Sequence, residues 1–349
     1  MKRVRAISLF SGGLDSILAT RLVMAQDIDV VAVQFVTPFF HYDILANVEQ
    51  HRRDMLEKYG INVMVQDISE DYIKLLHNPA HGFGKNFNPC IDCKIMMFEK
   101  AREMLGELQA SFLISGEVLG QRPMSQRRDT LNLIERDSRT RSLLLRPLSA
   151  LLMPETEAER AGLVDRSQLL KMNGRSRSPQ LALAARYGIT DFPAPAGGCV
   201  LADPILSRRI KEMYRVDSGL SSSKISVADI RSLLLGRQFI LPGGGWLIVG
   251  RDERENGMLH DLAQPEDAVL LMEDWPGPTA VLKRISERYA DSAALEDDLR
   301  NVAAIVIRLG RKRPAGKKEA EVSCTLGEKK ELFIAEPLLD ELFYDWRLS

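Results

Sequence analysis

The apolar run Val4–Phe10 stops at Ser11-Gly12-Gly13-Leu14-Asp15-Ser16, and a helical pattern opens at once over Leu14–Ala25. A strand that passes into a helix through two glycines needs a crossover to reach a parallel neighbour, which restricts the chain to a βαβ construction. The segments that follow keep this alternation. Asp29–Val36 reads as a Val-rich strand, Tyr42–Tyr59 as a helix and Ile61–Gln66 as a third strand. A Cys-bearing helix near Ile91–Leu105 then precedes a strand at Ser111–Ser115. The fold class expected is α/β, with an open, mostly parallel sheet covered on both faces.

A chain of 349 residues is long for one domain. Composition shifts at Val216–Ser226, where Ser-Gly and Ser-Ser-Ser read as a linker. Residues 1–215 are therefore expected to form the first domain, 216–226 the linker, and 227–349 a second, smaller α+β domain. In that domain Arg237–Val249, Ala268–Met272, Glu321–Thr325 and Lys330–Ala335 read as strands, with turns at Pro242-Gly243-Gly244-Gly245 and Pro276-Gly277-Pro278, and Leu295–Leu309 as a helix. A net charge of −1 excludes a globally basic nucleic-acid binder, so any such contact has to come from local patches. No stretch reaches the roughly 20 apolar residues of a membrane span. The basic start MKRVRAISLF runs into Ser11 without a cleavage site, so no membrane association and a cytoplasmic location are expected.

The loop itself has the makings of an anion site. Gly12 and Gly13 let backbone N–H groups face a phosphate, the helix N-terminus adds partial positive charge, and Ser11 and Ser16 add hydroxyl donors. Asp15 beside a phosphate calls for a Mg²⁺ between them. No Gly-Lys-Ser/Thr follows, so this is not a Walker A loop. The plain alternative is a strand-to-helix turn with a polar cap. The strand before the loop and the helix after it favour the phosphate site.

Three of the four cysteines fall in Gly/Pro-rich settings: Cys90 and Cys93 in NPCIDCK, and Cys199 in PAGGC. Cytosolic Cys-x-x-Cys pairs point to metal or redox chemistry rather than a disulfide framework. A structural zinc would want a fourth ligand, and only His81 is near. Cys324 lies in a strand-like run and reads as packing.

SGGLDS resembles the PP-loop of the ATP pyrophosphatase superfamily. That resemblance implies a Rossmann-like doubly wound domain that binds ATP and Mg²⁺ and cleaves ATP between the α- and β-phosphates. NPCIDCK is similar to the motif of the tRNA 2-thiouridylases, in which the second cysteine position, here Cys93, is catalytic. GEVLGQRPMSQ, from Gly116 to Gln126, resembles a segment of the 4-thiouridine synthetases and adds Gly116 and Gln121 to the nucleotide contacts. Residues Gly174–Pro204 also resemble PP-loop tRNA thiolation proteins. Nothing THUMP-like precedes the loop and no rhodanese-like segment is visible, so a separate sulfur donor, a cysteine desulfurase or sulfide, is expected.

The expectation is an ATP-dependent tRNA sulfurtransferase that adenylates a uridine carbonyl and exchanges its oxygen for sulfur. The candidate catalytic residues are Asp15, Cys90, Cys93 and Cys199; Ser11, Gly12, Gly13, Asp15, Ser16, Gly116 and Gln121 would hold the nucleotide. Two sulfur schemes stand open. In one, Cys90, Cys93 and Cys199 ligate a [4Fe-4S] cluster with one iron open to a hydrosulfide. Otherwise Cys199 carries a persulfide that Cys93 resolves. Three cysteines favour the cluster, since the second scheme needs only two. The rivals are an amide- or amidine-forming PP-loop ligase and a non-catalytic RNA-binding protein on an ATP fold.

Seven arginines lie between Gln121 and Arg146, and Arg175 and Arg177 follow. Arginine's planar fork suits phosphate, which nominates Arg122, Arg127, Arg128, Arg175 and Arg177 for tRNA contact. The segment GWLIVGRDERENGMLHDLAQPEDAVLLMEDWPGPTAVL resembles a diverged RNA-binding domain of ribosome-quality-control and fibronectin-binding-like proteins. Gly250-Arg251 and Glu255-Asn256 stand at that family's signature positions, while its aspartate–tryptophan–histidine element is absent. The basic run Arg311–Lys318 reads equally as RNA contact or as a solvated loop.

Overall fold

The computed structural model describes residues 3–195, 199–214 and 225–348. Two compact units are present, Met1–Val200 and Leu201–Ser349. Most of the expected linker, and Ala196, Gly197 and Gly198 of the PAGGC loop, lie outside the described residues.

The first unit runs β1 (Arg5–Leu9), α1 (Leu14–Met24), β2 (Asp29–Val36), α2 (Val48–Tyr59), β3 (Val63–Asp67) and α3 (Ser69–His77). It continues with α4 (Cys90–Glu107), β4 (Phe112–Ser115), α5 (Arg128–Asp137), β5 (Leu144–Leu145), α6 (Glu157–Arg160) and α7 (Ser178–Arg186). The strands form one parallel sheet in the order β3-β2-β1-β4-β5. Alternation along each strand feeds two cores. Ala6, Ala32, Phe112 and Ile114 pack on the face that holds α1, whereas Ile7, Val33, Leu113 and Leu144 pack with Phe98 and Ala101 of α4. The stretch expected as one helix, 42–59, is a 3-10 turn over Tyr42–Asn47 followed by α2. Asn47 separates the two: its side chain accepts from the Gln50 amide and so caps a new helix.

The second unit runs α8 (Pro204–Tyr214), α9 (Val227–Leu233), β6 (Arg237–Ile240), β7 (Trp246–Val249), α10 (Glu253–Leu262), β8 (Ala268–Met272) and β9 (Ala280–Lys283). Then follow α11 (Ile285–Arg288), α12 (Ser292–Leu309), β10 (Ala320–Leu326), β11 (Lys329–Ala335), α13 (Asp340–Asp345) and β12 (Arg347–Leu348). Its sheet is antiparallel in every pairing, ordered β11-β10-β8-β9-β7-β6-β12. Val302, Ala303 and Val306 of α12 cover it over Leu247, Leu270 and Leu282. Within 237–249 the turn expected at Pro242-Gly243-Gly244-Gly245 makes a hairpin of β6 and β7, and Gly244 takes φ +90°. Helix α8 joins this unit rather than the first, with Arg209 bonded to carbonyls at the end of α9.

Candidate functional site

In a sheet ordered 3-2-1-4-5 the direction of winding reverses between β1 and β4, and a crevice opens beyond their carboxyl ends. The two loops that enter it are Ser11–Ser16 after β1 and Gly116–Gln121 after β4. They touch closely. A Cβ on Gly116 would lie 2.6 Å from the Ser16 amide nitrogen and 2.7 Å from the Asp15 carbonyl carbon, so only glycine fits there. Gly12 takes φ +70°, a left-handed turn that glycine adopts without strain. Ser16 Oγ donates to the Gly13 carbonyl at 2.8 Å, and Ser11 Oγ lies 3.2 Å from Ser16 Oγ, so the hydroxyls tie the loop together.

Asp15 is half-buried, and its two oxygens differ. Oδ2 accepts from Gln121 Nε2 at 2.8 Å, while Oδ1 is buried without a protein partner. Gln121 Oε1 in turn accepts from Gln180 Nε2 of α7 at 3.1 Å. A carboxylate held on one side with its other oxygen buried and unsatisfied is costly as it stands, and a cation there would relieve it. Gln180 was invisible in the sequence as a site residue: it sits inside GRSRSPQ and meets the loop through its bond to Gln121.

The cysteines gather at a second feature of the same unit. Cys90 is the first residue of α4 and Cys93 follows three residues on, so both face one side. The buried hydroxyl of Tyr72 hydrogen-bonds to Cys93, and Cys90, Cys93 and Cys199 all lie within electrostatic reach of that tyrosine. Burial pushes the Cys93 thiol up to about 12; Cys90 and Cys199 add to the rise, while Tyr72 and Lys94 oppose it. Burial and the cysteines likewise raise Tyr72. Tyr72 is fixed by Phe39 and Phe40, with ring centroids 5.8 and 5.7 Å away. Nothing in the sequence marked it. Among the described residues no three His, Cys, Asp or Glu side chains are arranged around a single-ion site. His81 is committed elsewhere: Nε2 lies 3.1 Å from Asp137 and its backbone amide donates to buried Asp92.

Beneath the cysteines runs a buried ion network. Glu117, next to Gly116, bonds Lys94 through one oxygen and Arg146 Nε through the other at 2.9 Å; Arg146 also pairs with Glu135. Burial alone would raise Glu117, but Lys94 and Arg146 outweigh it and hold the carboxyl below its ordinary value. Arg146, counted in the sequence with the arginines available to RNA, is only 1 % exposed in its side chain and has this structural partner set instead. Arg122, Arg127, Arg128 and Arg175 are exposed and Arg177 is half-buried at the start of α7. Arg127 and Arg128 border an open cleft with Leu119, Gly120 and Asn132, and Arg127 pairs with Asp129 at 3.0 Å.

In the second unit Gly250-Arg251 and Glu255-Asn256 knit the end of β7 to α10. Arg251 Nε contacts both Glu255 oxygens at 3.0 Å, and Asn256 Oδ1 accepts from the Thr279 amide at 3.0 Å. In the basic run, Arg313 donates to the Lys317 and Lys318 carbonyls and Lys317 pairs with Asp274 at 2.6 Å. Cys324 is buried in β10, and burial first, then Glu331, pushes its thiol up to about 11. No helix among the described residues is long and apolar enough to cross a membrane.

Residues 2–155 match the family model described as thiamine biosynthesis protein (ThiI), and residues 236–347 match the NFACT protein RNA binding domain. No curated protein sequence matches. Among solved structures, a 4-thiouridine synthetase–RNA complex with bound ATP aligns at 19% identity over 53% of this chain and 52% of that one, TM-score 0.34. The U34-tRNA thiolase NcsA from Methanococcus maripaludis with its [4Fe-4S] cluster aligns at 16% identity over 66% and 81%, TM-score 0.33. A predicted subunit of tRNA methyltransferase from Methanocaldococcus jannaschii aligns at 14% identity over 41% and 69%, TM-score 0.30. The chain spans about half the length of the first of these. Residues 2–155 are thus similar to the ThiI family domain and residues 236–347 to the NFACT RNA binding domain.

Proposed function

We propose that this protein is an ATP-dependent tRNA sulfurtransferase of the cytoplasm that replaces a uridine carbonyl oxygen with sulfur. The observation that carries the reading is the pairing, within the first unit, of a phosphate loop at the β1/β4 crevice with three cysteines collected around Tyr72.

The loop amides and the N-terminus of α1 receive the phosphates of ATP, and Asp15 Oδ1 is the oxygen left for a Mg²⁺. Gln121, itself held by Gln180, keeps the Asp15 carboxylate turned so that this oxygen faces the crevice. The uridine oxygen attacks the α-phosphorus, pyrophosphate leaves, and the ring carbon becomes open to a sulfur nucleophile. Sulfur adds, AMP departs with the former carbonyl oxygen, and a thiocarbonyl remains.

Three thiols with no fourth Cys or His beside them among the described residues fit a [4Fe-4S] cluster held by Cys90, Cys93 and Cys199 better than a closed zinc site. Such a cluster supplies an open iron position where a sulfide can bind. Cys93, protonated when buried and unliganded, would be held as thiolate by that ligation, with the Tyr72 hydroxyl donating to it. The second reading, a persulfide on Cys199 resolved by Cys93, draws support from the same proximity and requires no metal. In the cluster reading sulfide supplies the sulfur; in the persulfide reading a separate cysteine desulfurase passes sulfane sulfur to Cys199, and the Cys93–Cys199 disulfide left after transfer is reduced by an external thiol.

Anaerobic purification with iron, acid-labile sulfide and zinc analysis tests this, alongside mass spectrometry of nucleosides from unmodified tRNA incubated with ATP and sulfide. About four irons per chain with thiouridine formed supports the cluster reading. Thiouridine formed without metal from a cysteine desulfurase but not from sulfide selects the persulfide scheme, and failure to form thiouridine with either sulfide or a desulfurase overturns the proposal.

A further inference from the structure

The sheet of the second unit is covered by α12 on one face and only in part on the other. Opposed residues of an antiparallel sheet share a face, so Ile248, Val281, Val269, Thr325 and Lys330 form one row across it, away from α12. Ile248 and Val281 are buried, because α9 lies on that end of the row. Gln238, opposite Ile248, donates to the Ser232, Leu233 and Leu235 carbonyls at 3.0, 3.1 and 3.2 Å. Toward β11 the same face opens. Leu271 and Leu332 stand in one row through Ser323, and Leu332 and Ile334 are 60 % and 66 % exposed.

Strand β11 is also the end of the sheet. Glu321 gives its carbonyl to the Glu273 amide at 3.0 Å, on the β8 side of β10, so Ile334 opposite it takes no ladder bond from β10. By the alternation of the ladder, the amides and carbonyls of Lys330, Leu332 and Ile334 all point to the open edge. Charged side chains commonly blunt such an edge. Here Lys330 lies inward over the sheet, with Nζ 3.2 Å from Glu273, and the stretch at the edge is Leu332-Phe333-Ile334.

We propose that β11 is a self-association edge: a second copy of this chain adds its own β11 antiparallel and continues the sheet across a two-fold axis at Phe333. The contact is independent of the sulfur-transfer reading. A two-fold normal to the sheet keeps every residue on its own face, so the axis passes through a residue and the contact is isologous. Centring on Glu331 opposes two glutamates, and centring on Leu332 sets Glu328 against Glu336. Centring on Phe333 sets Leu332 against Ile334 and Lys330 against Glu336, each twice by symmetry. The edge-facing backbone groups of Leu332 and Ile334 then bond one another, and the exposed apolar side chains of the two copies meet. The Lys330–Glu273 pair is exposed and weakly held, so Lys330 is free to turn to Glu336 of the second copy.

The test is sedimentation velocity of the full chain from about 1 to 100 μM, the range in which one strand edge is expected to associate. The wild type is expected to pass from one chain to two. Leu332→Lys/Ile334→Lys, at two exposed positions, is expected to weaken association at least about tenfold with its melting temperature unchanged. Lys330→Glu and Glu336→Lys each oppose like charges at two places and are expected to weaken it about tenfold. Lys330→Glu/Glu336→Lys restores opposite charges and is expected to return affinity to within about threefold of wild type. Leu56→Lys, exposed on α2 of the first unit, is the control expected to change nothing. A wild type that stays a single chain at about 100 μM overturns the proposal. So does a dimer that Leu332→Lys/Ile334→Lys leaves intact, or one that the charge exchange fails to restore.

Discussion

Gln121 Nε2 donates to Asp15 Oδ2 at 2.8 Å, joining two loops 106 residues apart in sequence. The bond leaves Oδ1 as the one Asp15 oxygen without a protein partner, and this selects the oxygen available to a metal. Asp15→Asn is expected to lower tRNA-dependent pyrophosphate release by 10² or more, because the charge that would hold Mg²⁺ is lost. Gln121→Ala keeps the charge and frees its orientation, so a loss nearer tenfold and a raised Mg²⁺ requirement are expected. Equal activity in both variants and wild type would remove Asp15 from the site.

Gly116→Ala tests the contact between the two loops. The new methyl would meet backbone, at 2.6 Å from the Ser16 amide, and backbone cannot swing aside as a flexible side chain does. Overpacking of this kind costs about 1–3 kcal/mol. It should also displace the phosphate loop, lowering ATP affinity at least tenfold by calorimetry while the second unit stays folded. Gly106→Ala, on the open face of α4, is the control expected to leave both unchanged.

The Glu117 network makes stability depend on pH. Glu117 has its carboxyl lowered in the fold below the ordinary 4.5, so its contribution is present above about pH 4.5 and is lost as pH falls through the folded value. Glu117→Gln leaves Arg146 and Lys94 without their shared carboxylate and should cost about 3–5 kcal/mol at pH 7. Thermal melts from pH 7 to 3 should show wild type and variant converging in acid. Parallel curves over that range would contradict the assignment.

Tyr72→Phe keeps the ring between Phe39 and Phe40 and deletes the hydroxyl that bonds Cys93. Folding should be little changed. Iron retention after anaerobic reconstitution is expected to drop several-fold, since a hydrogen bond to a ligating sulfur is lost. Cys324→Ser, in the other unit, should keep full iron content. Iron loss in Cys324→Ser and none in Tyr72→Phe would place the metal elsewhere.

The sequence by itself determined the parallel α/β unit and the glycine turn after its first strand, because both are written in local patterns. Val-rich runs set strands, and Gly12-Gly13 between a strand and a helix sets a tight turn at a helix N-terminus. Cys90 and Cys93 were legible for the same reason, being one helical turn apart. Tertiary structure alone decided what surrounds them. Tyr72 reaches Cys93 from α3, Gln180 reaches Gln121 from α7, and Arg146 is drawn inward to Glu117 and Glu135 although its neighbours in sequence are solvent-facing arginines. The sheet of the second unit is likewise closed by strand register, which pairs Arg347 with Phe239 across more than a hundred residues. Hydrophobic periodicity records which face of an element is buried, but not which element is packed against it. Partners from distant segments are chosen only when the sheet order and the helix packing close the chain on itself.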